Sequence, residues 1–144
     1  MDMHVEPFLI ASTIQVIIGQ RLVRRICDVC KTQTTISRQE LRKNFSAASL
    51  KLAFPDLETK KSVPIFTSQG CHMCHQTGYI GRLGLFEVLE VTKALRELIA
   101  ERATADMIRQ AAVGEGMTTM LDDGLEKVAK GYTTLEEVLR VTEN

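Results

Sequence analysis

The segments Cys27-Asp28-Val29-Cys30 and Cys71-His72-Met73-Cys74 decide the fold, because together they contain every cysteine of the chain. A two-residue gap lets both sulfurs of a tight turn point at one ion, and two such turns complete a tetrahedral shell with no open position. Gly70 and Gly78 flank the second pair and suit a tight metal-binding turn. The pattern predicts a structural Zn²⁺ site with Cys27, Cys30, Cys71 and Cys74 as ligands.

Other states of the cysteines are compatible with the pattern alone. The thiols could form disulfides, or one pair could be a dithiol redox site, although a thioredoxin-like site needs a strand-to-helix turn. His72 and His75 lie beside the second pair, and either could replace a cysteine in a Cys₃His site. Four sulfurs already complete a closed shell, so we expect both histidines to be exposed.

Composition and charge are those of an ordinary globular domain. Of the 144 residues, 44% are hydrophobic and 25% are charged, with 18 basic and 18 acidic side chains. The balanced charge provides no field that would draw the protein to nucleic acid, and the chain has no Trp on which bases could stack. We therefore expect protein partners and no nucleic acid.

No segment of the sequence has the pattern of a membrane span or of a secretory signal. The longest apolar run, from Phe8 to Ile18, is shorter than the roughly 20 residues that cross a bilayer. Asp2 and Glu6 stand where a signal peptide carries basic residues. The sequence therefore predicts a cytoplasmic protein.

Apolar spacing predicts mainly helices with a small β element. Isoleucines and leucines at three- and four-residue steps predict a helix from Pro7 to about Ile26. Ser37 and Glu40 form a capping-box pattern that opens a second helix, and Phe54 is expected to end a third. Short strands are predicted around residues 63–66 and 85–91.

After residue 91 the pattern predicts a small helical bundle over residues 92–144. Each helix is expected to begin at a threonine that accepts a backbone hydrogen bond, and Thr133 with Glu136 forms a capping-box pattern for the last. Inward-facing positions are expected at Leu95, Leu98, Ile99, Met107, Ile108, Ala111, Ala112, Leu121, Leu125, Val128, Leu135, Val138 and Leu139.

Nucleotide chemistry within this chain is not expected. None of its nine glycines begins Gly-x-x-x-x-Gly-Lys-[Ser/Thr], so the chain lacks a Walker A loop, and no catalytic set of side chains is recognisable. Arg21, Arg24 and Arg82 fit two interpretations, a solvated face with local ion pairs, or recognition of phosphate or carboxylate across a subunit interface.

Several motifs resemble one known family. The stretch from Val5 to Ser12, the segment Gln20-Arg21-Leu22-Val23-Arg24-Arg25-Ile26-Cys27, and the segment Gly81-Arg82-Leu83-Gly84 after the second cysteine pair are similar to type II secretion and type IV pilus assembly ATPases. The closing stretch from Gly131 to Val141 also resembles that family. The resemblance covers nearly the whole chain except about residues 32–68.

The resemblance implies a fold and a domain order. Residues 1–26 would be the last helix of a truncated RecA-like ATPase core whose P-loop lies upstream. Residues 27–91 would be a tetracysteine zinc-binding subdomain with a variable insert at about 32–68. Residues 92–144 would be a C-terminal helical subdomain.

The resemblance also implies a function. The parent protein would be a hexameric cytoplasmic ATP hydrolase that uses ATP and Mg²⁺ and is peripheral at the inner membrane through platform proteins. Its partners would be other hexamer subunits and those platform proteins. Arg82, with Arg21 and Arg24, would lie near nucleotide at the subunit interface, and this chain alone would be inactive. The alternative is a free-standing zinc-ribbon module that binds nucleic acid or protein.

Overall fold

A computed structural model describes residues 6–142. Asp2, which entered the signal-peptide prediction, and Val5, which entered the family resemblance, lie outside the described residues. The described residues divide into two compact units. Unit 1 contains residues 6–19 and 86–119, and unit 2 contains residues 20–85 and 120–142.

Helices predominate over strands in the described residues, as predicted. The strands form two two-stranded sheets, β1 with β4 and β2 antiparallel with β3. The helices are α1 (Pro7–Thr13), α2 (Arg38–Asn44), α3 (Ala47–Ala53), α4 (Lys93–Ala100), α5 (Ala105–Gly114), α6 (Met120–Ala129) and α7 (Leu135–Thr142). The strands are β1 (Val16–Ile26), β2 (Lys31–Ser37), β3 (Ser62–Ser68) and β4 (Tyr79–Glu90). Short 3-10 helices occupy Pro55–Glu58 and His72–Cys74.

The predicted helix from Pro7 to Ile26 is wrong over most of its length. Helix α1 ends at Thr13, and Val16–Ile26 is strand β1. The apolar residues of this segment recur at three- and four-residue steps as far as Ile26, so their spacing alone favoured a helix over the strand that forms. The β-branched residues of this segment favour an extended backbone, and β4 provides backbone hydrogen-bond partners along one edge of β1.

Unit 1 is built from α1, α4, α5 and the adjoining ends of β1 and β4. Its core contains Val91, Leu95 and Ala112. The Arg96 Nη1 donates to the Ala11 carbonyl at 2.5 Å and thereby ties α4 to α1. Thr92 and Thr104 cap α4 and α5 as predicted, but the predicted inward position of Met107 is wrong because its side chain is 52% exposed.

Unit 2 contains the β2–β3 sheet, helices α2, α3, α6 and α7, and the remainder of β1 and β4. In the sheet, Lys31 lies opposite Ser68 and Ser37 opposite Ser62. Ser37 caps α2 as predicted. The core is formed by buried apolar side chains from every one of these elements: Val23, Ile36, Leu41, Phe45, Leu50, Phe54, Leu57, Val63, Ile65, Leu85, Leu125, Val128 and Val138.

Two predictions for the C-terminal half need correction. The helices fall into pairs, α4 with α5 in unit 1 and α6 with α7 in unit 2, where the sequence predicted one bundle. The cap of α7 is Thr134, whose Oγ1 accepts from the Glu137 amide at 3.4 Å. Thr133 was predicted as the cap, but its hydroxyl instead donates to the Arg24 carbonyl at 2.8 Å.

Between residues 6 and 142, no helix combines the length and the apolarity needed to cross a lipid bilayer.

Candidate metal centre and arginine groove

Two chain turns bring the four cysteines together in unit 2. The first turn joins the end of β1 to the start of β2 and carries Cys27 and Cys30. The second is the 3-10 helix before β4, which carries Cys71 and Cys74. All four Sγ atoms lie within 4.8 Å of one another. Cys27 and Cys74 are buried, and the other two are partly buried.

The sulfur separations fit a tetrahedral metal site. The Sγ–Sγ distances are 3.9 Å for Cys27 to Cys71, 3.8 Å for Cys30 to Cys74 and 3.7 Å for Cys71 to Cys74. Sulfurs about 2.3 Å from a central ion form a tetrahedron with edges of about 3.8 Å. A disulfide would bring two sulfurs to about 2.05 Å, and all four cysteines are free. The cysteines are therefore positioned to bind a metal ion.

Backbone amides turn toward the Cys74 sulfur and favour its ionised form. The amides of Cys71 and Gly78 donate to this Sγ at 3.1 and 3.2 Å. Burial alone raises the pKa of the Cys74 thiol, but these donors, together with hydrogen bonds from the Cys71 and Cys30 side chains, outweigh burial and lower the pKa to about 6. The pKa of the Cys30 thiol is raised, mainly by burial and to a smaller extent by hydrogen bonds with the other cysteines. When all four cysteines are ionised, a cation is needed to offset the repulsion between their thiolates. Four cysteine sulfurs are a ligand set that Zn²⁺ accepts.

Gly70 and Gly78 are required by the backbone of the second turn, as the sequence predicted. Their φ angles are +89° and +78°, in the region that side chains disfavour. A Cβ at Gly70 would lie 2.6 Å from the Gln76 carbonyl oxygen. The Gly78 carbonyl accepts from the Cys27 amide at 2.9 Å and from the Ser68 hydroxyl at 2.6 Å, so Gly78 joins the two turns.

His72 and His75 are exposed, in agreement with the prediction. The group of side chains that could hold a metal contains the four cysteines and neither histidine. His75 has a φ angle of +50°, because it ends the 3-10 helix.

A second feature of unit 2 is a groove of about 490 Å³ lined by three arginines and two apolar residues. We call it the arginine groove, and its lining residues are Leu22, Val23, Arg24, Arg82 and Arg140. Two of the three arginines singled out from the sequence, Arg24 and Arg82, are thus brought together. Arg21 is exposed on β1 and is not among the lining residues.

A buried carboxylate holds two of these arginines. The side chain of Glu137 is 2% exposed and accepts from the Arg24 Nη2 at 2.7 Å. It also accepts from the Arg140 Nε and Nη2 at 3.0 and 2.9 Å, and from the Arg24 amide at 2.9 Å. Burial raises the pKa of this carboxyl, but the hydrogen bonds from Arg140 and Arg24 outweigh burial and lower the pKa to about 2. Glu137 is therefore ionised at neutral pH.

Sequence reasoning missed Glu137, Arg140 and Tyr79. The three-residue spacing of Glu137 and Arg140 on a helix predicts an ion pair, but such pairs are common on solvated surfaces. The Arg24 guanidinium lies 4.2 Å from the centre of the Tyr79 ring, and the Tyr79 hydroxyl contacts the Thr134 Oγ1 at 3.1 Å. Sequence spacing contains no information about these long-range contacts.

Comparison with known proteins extends over nearly the whole chain. A family profile described as type II/IV secretion system protein matches residues 1–140. The chain is 38% identical to the type II secretion system protein E of Aeromonas hydrophila and to the type II secretion system ATPase E of Vibrio cholerae, in each case over 98% of the chain and 26% of the relative. It is 36% identical to the type IV pilus assembly ATPase PilB of Thermus thermophilus over 98% of the chain and 15% of that protein.

The chain therefore spans about a quarter or less of the length of these relatives. Because the profile and the relatives both cover almost all of its residues, the chain belongs to the family of type II/IV secretion system proteins.

Proposed function

We propose that the chain is the C-terminal, zinc-bearing part of a hexameric ATPase that powers type II secretion or type IV pilus assembly. The observation that carries the proposal is the tetrahedral spacing of four cysteine sulfurs within a chain of this family. Cys27, Cys30, Cys71 and Cys74 would hold Zn²⁺. When bound, the ion cross-links the two turns and leaves no open position for catalysis.

The chain serves the parent protein through contacts rather than through chemistry. Unit 1 exposes large apolar side chains on α1 and on its parts of β1 and β4, and apolar surface of this kind marks protein interfaces. The partners are other subunits of the hexamer and inner-membrane platform proteins. Contact with the platform proteins would place the cytoplasmic parent at the surface of the inner membrane. The exposed apolar residues are Phe8, Leu9, Val16, Ile17, Ile18, Phe86 and Val88.

ATP and Mg²⁺ are used by the parent, whose Walker A loop would lie upstream of residue 1. Arg82, Arg21 and Arg24 would lie near nucleotide at the subunit interface. All three are exposed, which leaves their guanidiniums accessible to another subunit. The domain division proposed from the sequence, at residues 26/27 and 91/92, remains a prediction.

The test is to compare this 144-residue chain with the longer protein that contains it. We expect one zinc per chain by elemental analysis after purification without chelator or metal-affinity resin. We also expect ATP turnover from the longer protein and none from the chain alone.

ATP hydrolysis by the chain alone would refute the proposal that this part of the protein acts only through contacts. The absence of a Walker A motif upstream would refute the ATPase assignment. Oxidised, metal-free cysteines in freshly purified protein would refute the zinc site. Salt-sensitive binding of nucleic acid would instead favour the free-standing zinc-ribbon alternative.

A further inference from the structure

Another cavity of unit 2 lies in a segment that contains none of the family motifs quoted above. It has a volume of about 550 Å³ and is formed by residues 37–42, at the start of α2, and by residues 58–61. We call it the basic groove, because its lining includes four basic side chains and one acidic side chain: Arg38, Arg42, Lys60, Lys61 and Glu58. We propose that the basic groove binds an acidic peptide segment of a partner protein.

The basic groove concentrates positive charge in a chain whose 18 basic and 18 acidic residues balance. The Lys60 Nζ forms an ion pair with Asp56 at 2.6 Å, and Asp56 lies outside the lining. Four basic residues set against Glu58 and Asp56 leave a net charge of +2. A local field of this sign attracts carboxylates and steers an acidic segment toward the groove.

Three of the basic side chains retain donors for a ligand. Within residues 6–142, no ion pair involves Arg38, Arg42 or Lys61. The Arg38 Nη1 donates to the Glu58 carbonyl at 3.4 Å, which uses one of the five N–H groups of that guanidinium. Arg42 and Lys61 are exposed, so their charged ends are accessible to a partner.

Hydrogen bonds of the backbone hold the two sides of the basic groove together. The Arg38 amide donates to the Lys61 carbonyl at 2.9 Å, and next to this bond Ser37 lies opposite Ser62 in the β2–β3 sheet. Arg38 and Arg42 are four positions apart in α2 and therefore share one face of the helix. Only side chains need to become ordered when a ligand binds, which limits the entropic cost of binding.

The lining favours a peptide over a simple anion. The carboxylate of Glu58 can accept a hydrogen bond from a peptide N–H group, whereas a phosphate dianion has no donor to offer and would be repelled. An adjoining cavity of about 40 Å³ shares three residues with the basic groove and is also lined by apolar Ala47, Leu50 and Leu57. This cavity suits a small apolar side chain. A peptide that carries both carboxylates and small apolar groups fits the two cavities together.

The inference goes beyond the proposed function and does not depend on it. Neither the four cysteines nor any residue of the arginine groove lines the basic groove. All of its lining residues belong to unit 2 of one chain, so the site needs no nucleotide and no second subunit. Peptide binding, zinc content and ATP turnover are therefore separate measurements, and each can fail alone.

Fluorescence anisotropy of a labelled hexapeptide, titrated with the zinc-loaded 144-residue chain at low salt, tests the inference. The peptide alternates glutamate with alanine and has blocked ends. We expect saturable 1:1 binding that weakens about fivefold in Arg42→Gln and about fivefold in Lys61→Gln, because each substitution removes one cation from one side of the groove. Arg42→Lys, which keeps the charge, should recover most of the affinity.

The matched control is Lys43→Gln, which removes one charge from an exposed residue of α2 outside the lining and should change the affinity by less than about twofold. Equal weakening in Arg42→Gln and Lys43→Gln would overturn the inference, because attraction would then follow total charge alone. Absence of saturable binding, or equal affinity for a peptide that alternates glutamine with alanine, would overturn it as well. Tighter binding of inorganic phosphate or of phosphatidylglycerol vesicles, lost in Arg42→Gln, would assign the groove to another ligand and refute the peptide.

Discussion

Arg24 and Glu137 are 113 residues apart in the sequence and are joined by two hydrogen bonds, one from the Arg24 amide at 2.9 Å and one from its Nη2 at 2.7 Å. The pair attaches α7 to β1. A buried carboxylate is tolerated only when its hydrogen-bonding capacity is used, and Arg140 supplies the remaining donors. The contact therefore supports both unit 2 and the arrangement of the arginine groove.

Glu137→Gln should destabilise the protein by about 2 kcal/mol, because it leaves two arginines without their counter-ion and places an amide N–H group among donors. The half-exposed guanidiniums limit the loss, since water can solvate them. Urea unfolding would measure the change. Glu136→Gln is the control, because Glu136 is exposed on the same helix and should change stability by less than about 0.5 kcal/mol. Equal effects of the two substitutions would contradict the assigned role of Glu137.

The contribution of Glu137 to stability should depend on pH in the acid range. Hydrogen bonds lower the pKa of its carboxyl from 4.5 to about 2 on folding. A lowered folded-state pKa stabilises fully above the unfolded value, so the contribution is complete above about pH 4.5 and is lost as the pH falls through about 2. The difference in unfolding free energy between the wild type and Glu137→Gln should shrink over that interval. A difference independent of pH would contradict the assigned ionisation.

Cys71→Ser should abolish binding of the metal and loosen both turns, because the free energy of metal binding also stabilises the surrounding fold. Hydrogen exchange should accelerate around Cys27–Cys30 and Ser68–Gly78, while α4 and α5, which belong to unit 1, keep their protection. His72→Ala should retain one zinc per chain, since the imidazole is exposed and outside the sulfur cluster. Loss of zinc in His72→Ala would instead support a Cys₃His site.

Gly78→Ala should destabilise unit 2 by about 1–3 kcal/mol. Its φ angle of +78° disfavours a side chain, and a Cβ there would overlap the Ser68 hydroxyl that donates to the Gly78 carbonyl. The control is Gly114→Ala at the end of α5, where a Cβ meets no atom within 4 Å and the change should be under about 1 kcal/mol. Thermal unfolding measures both variants. A neutral Gly78→Ala would show that the turn can relax.

Local patterns predicted the parts of the fold that depend on neighbouring residues. The paired cysteines, the glycines beside them and the serine cap of α2 were found in this way. Strand β1 was missed because Ile18, Leu22 and Ile26 recur at four-residue steps that also fit a helix, and only pairing with β4 selects the extended form.

The cap of α7 was misplaced by one residue for a related reason. Thr133 and Thr134 have equal capping potential, and the choice depends on the hydrogen bond from Thr133 to the distant Arg24 carbonyl. Glu137 was not associated with Arg24 for the same reason, because the two residues are 113 positions apart in the sequence. Tertiary contacts of this kind are not encoded in the spacing of neighbours.

The attachment of α7 to β1 has a consequence for synthesis on the ribosome. The Ile26 amide donates to the Tyr132 carbonyl at 2.9 Å, and the Arg24 and Glu137 contact lies next to it. Unit 2 therefore cannot close until residues 132–140 have left the exit tunnel, more than a hundred residues after β1 emerged. Until then the apolar residues of β1 are not packed against α7, and we expect chaperones to bind the nascent chain at this stage.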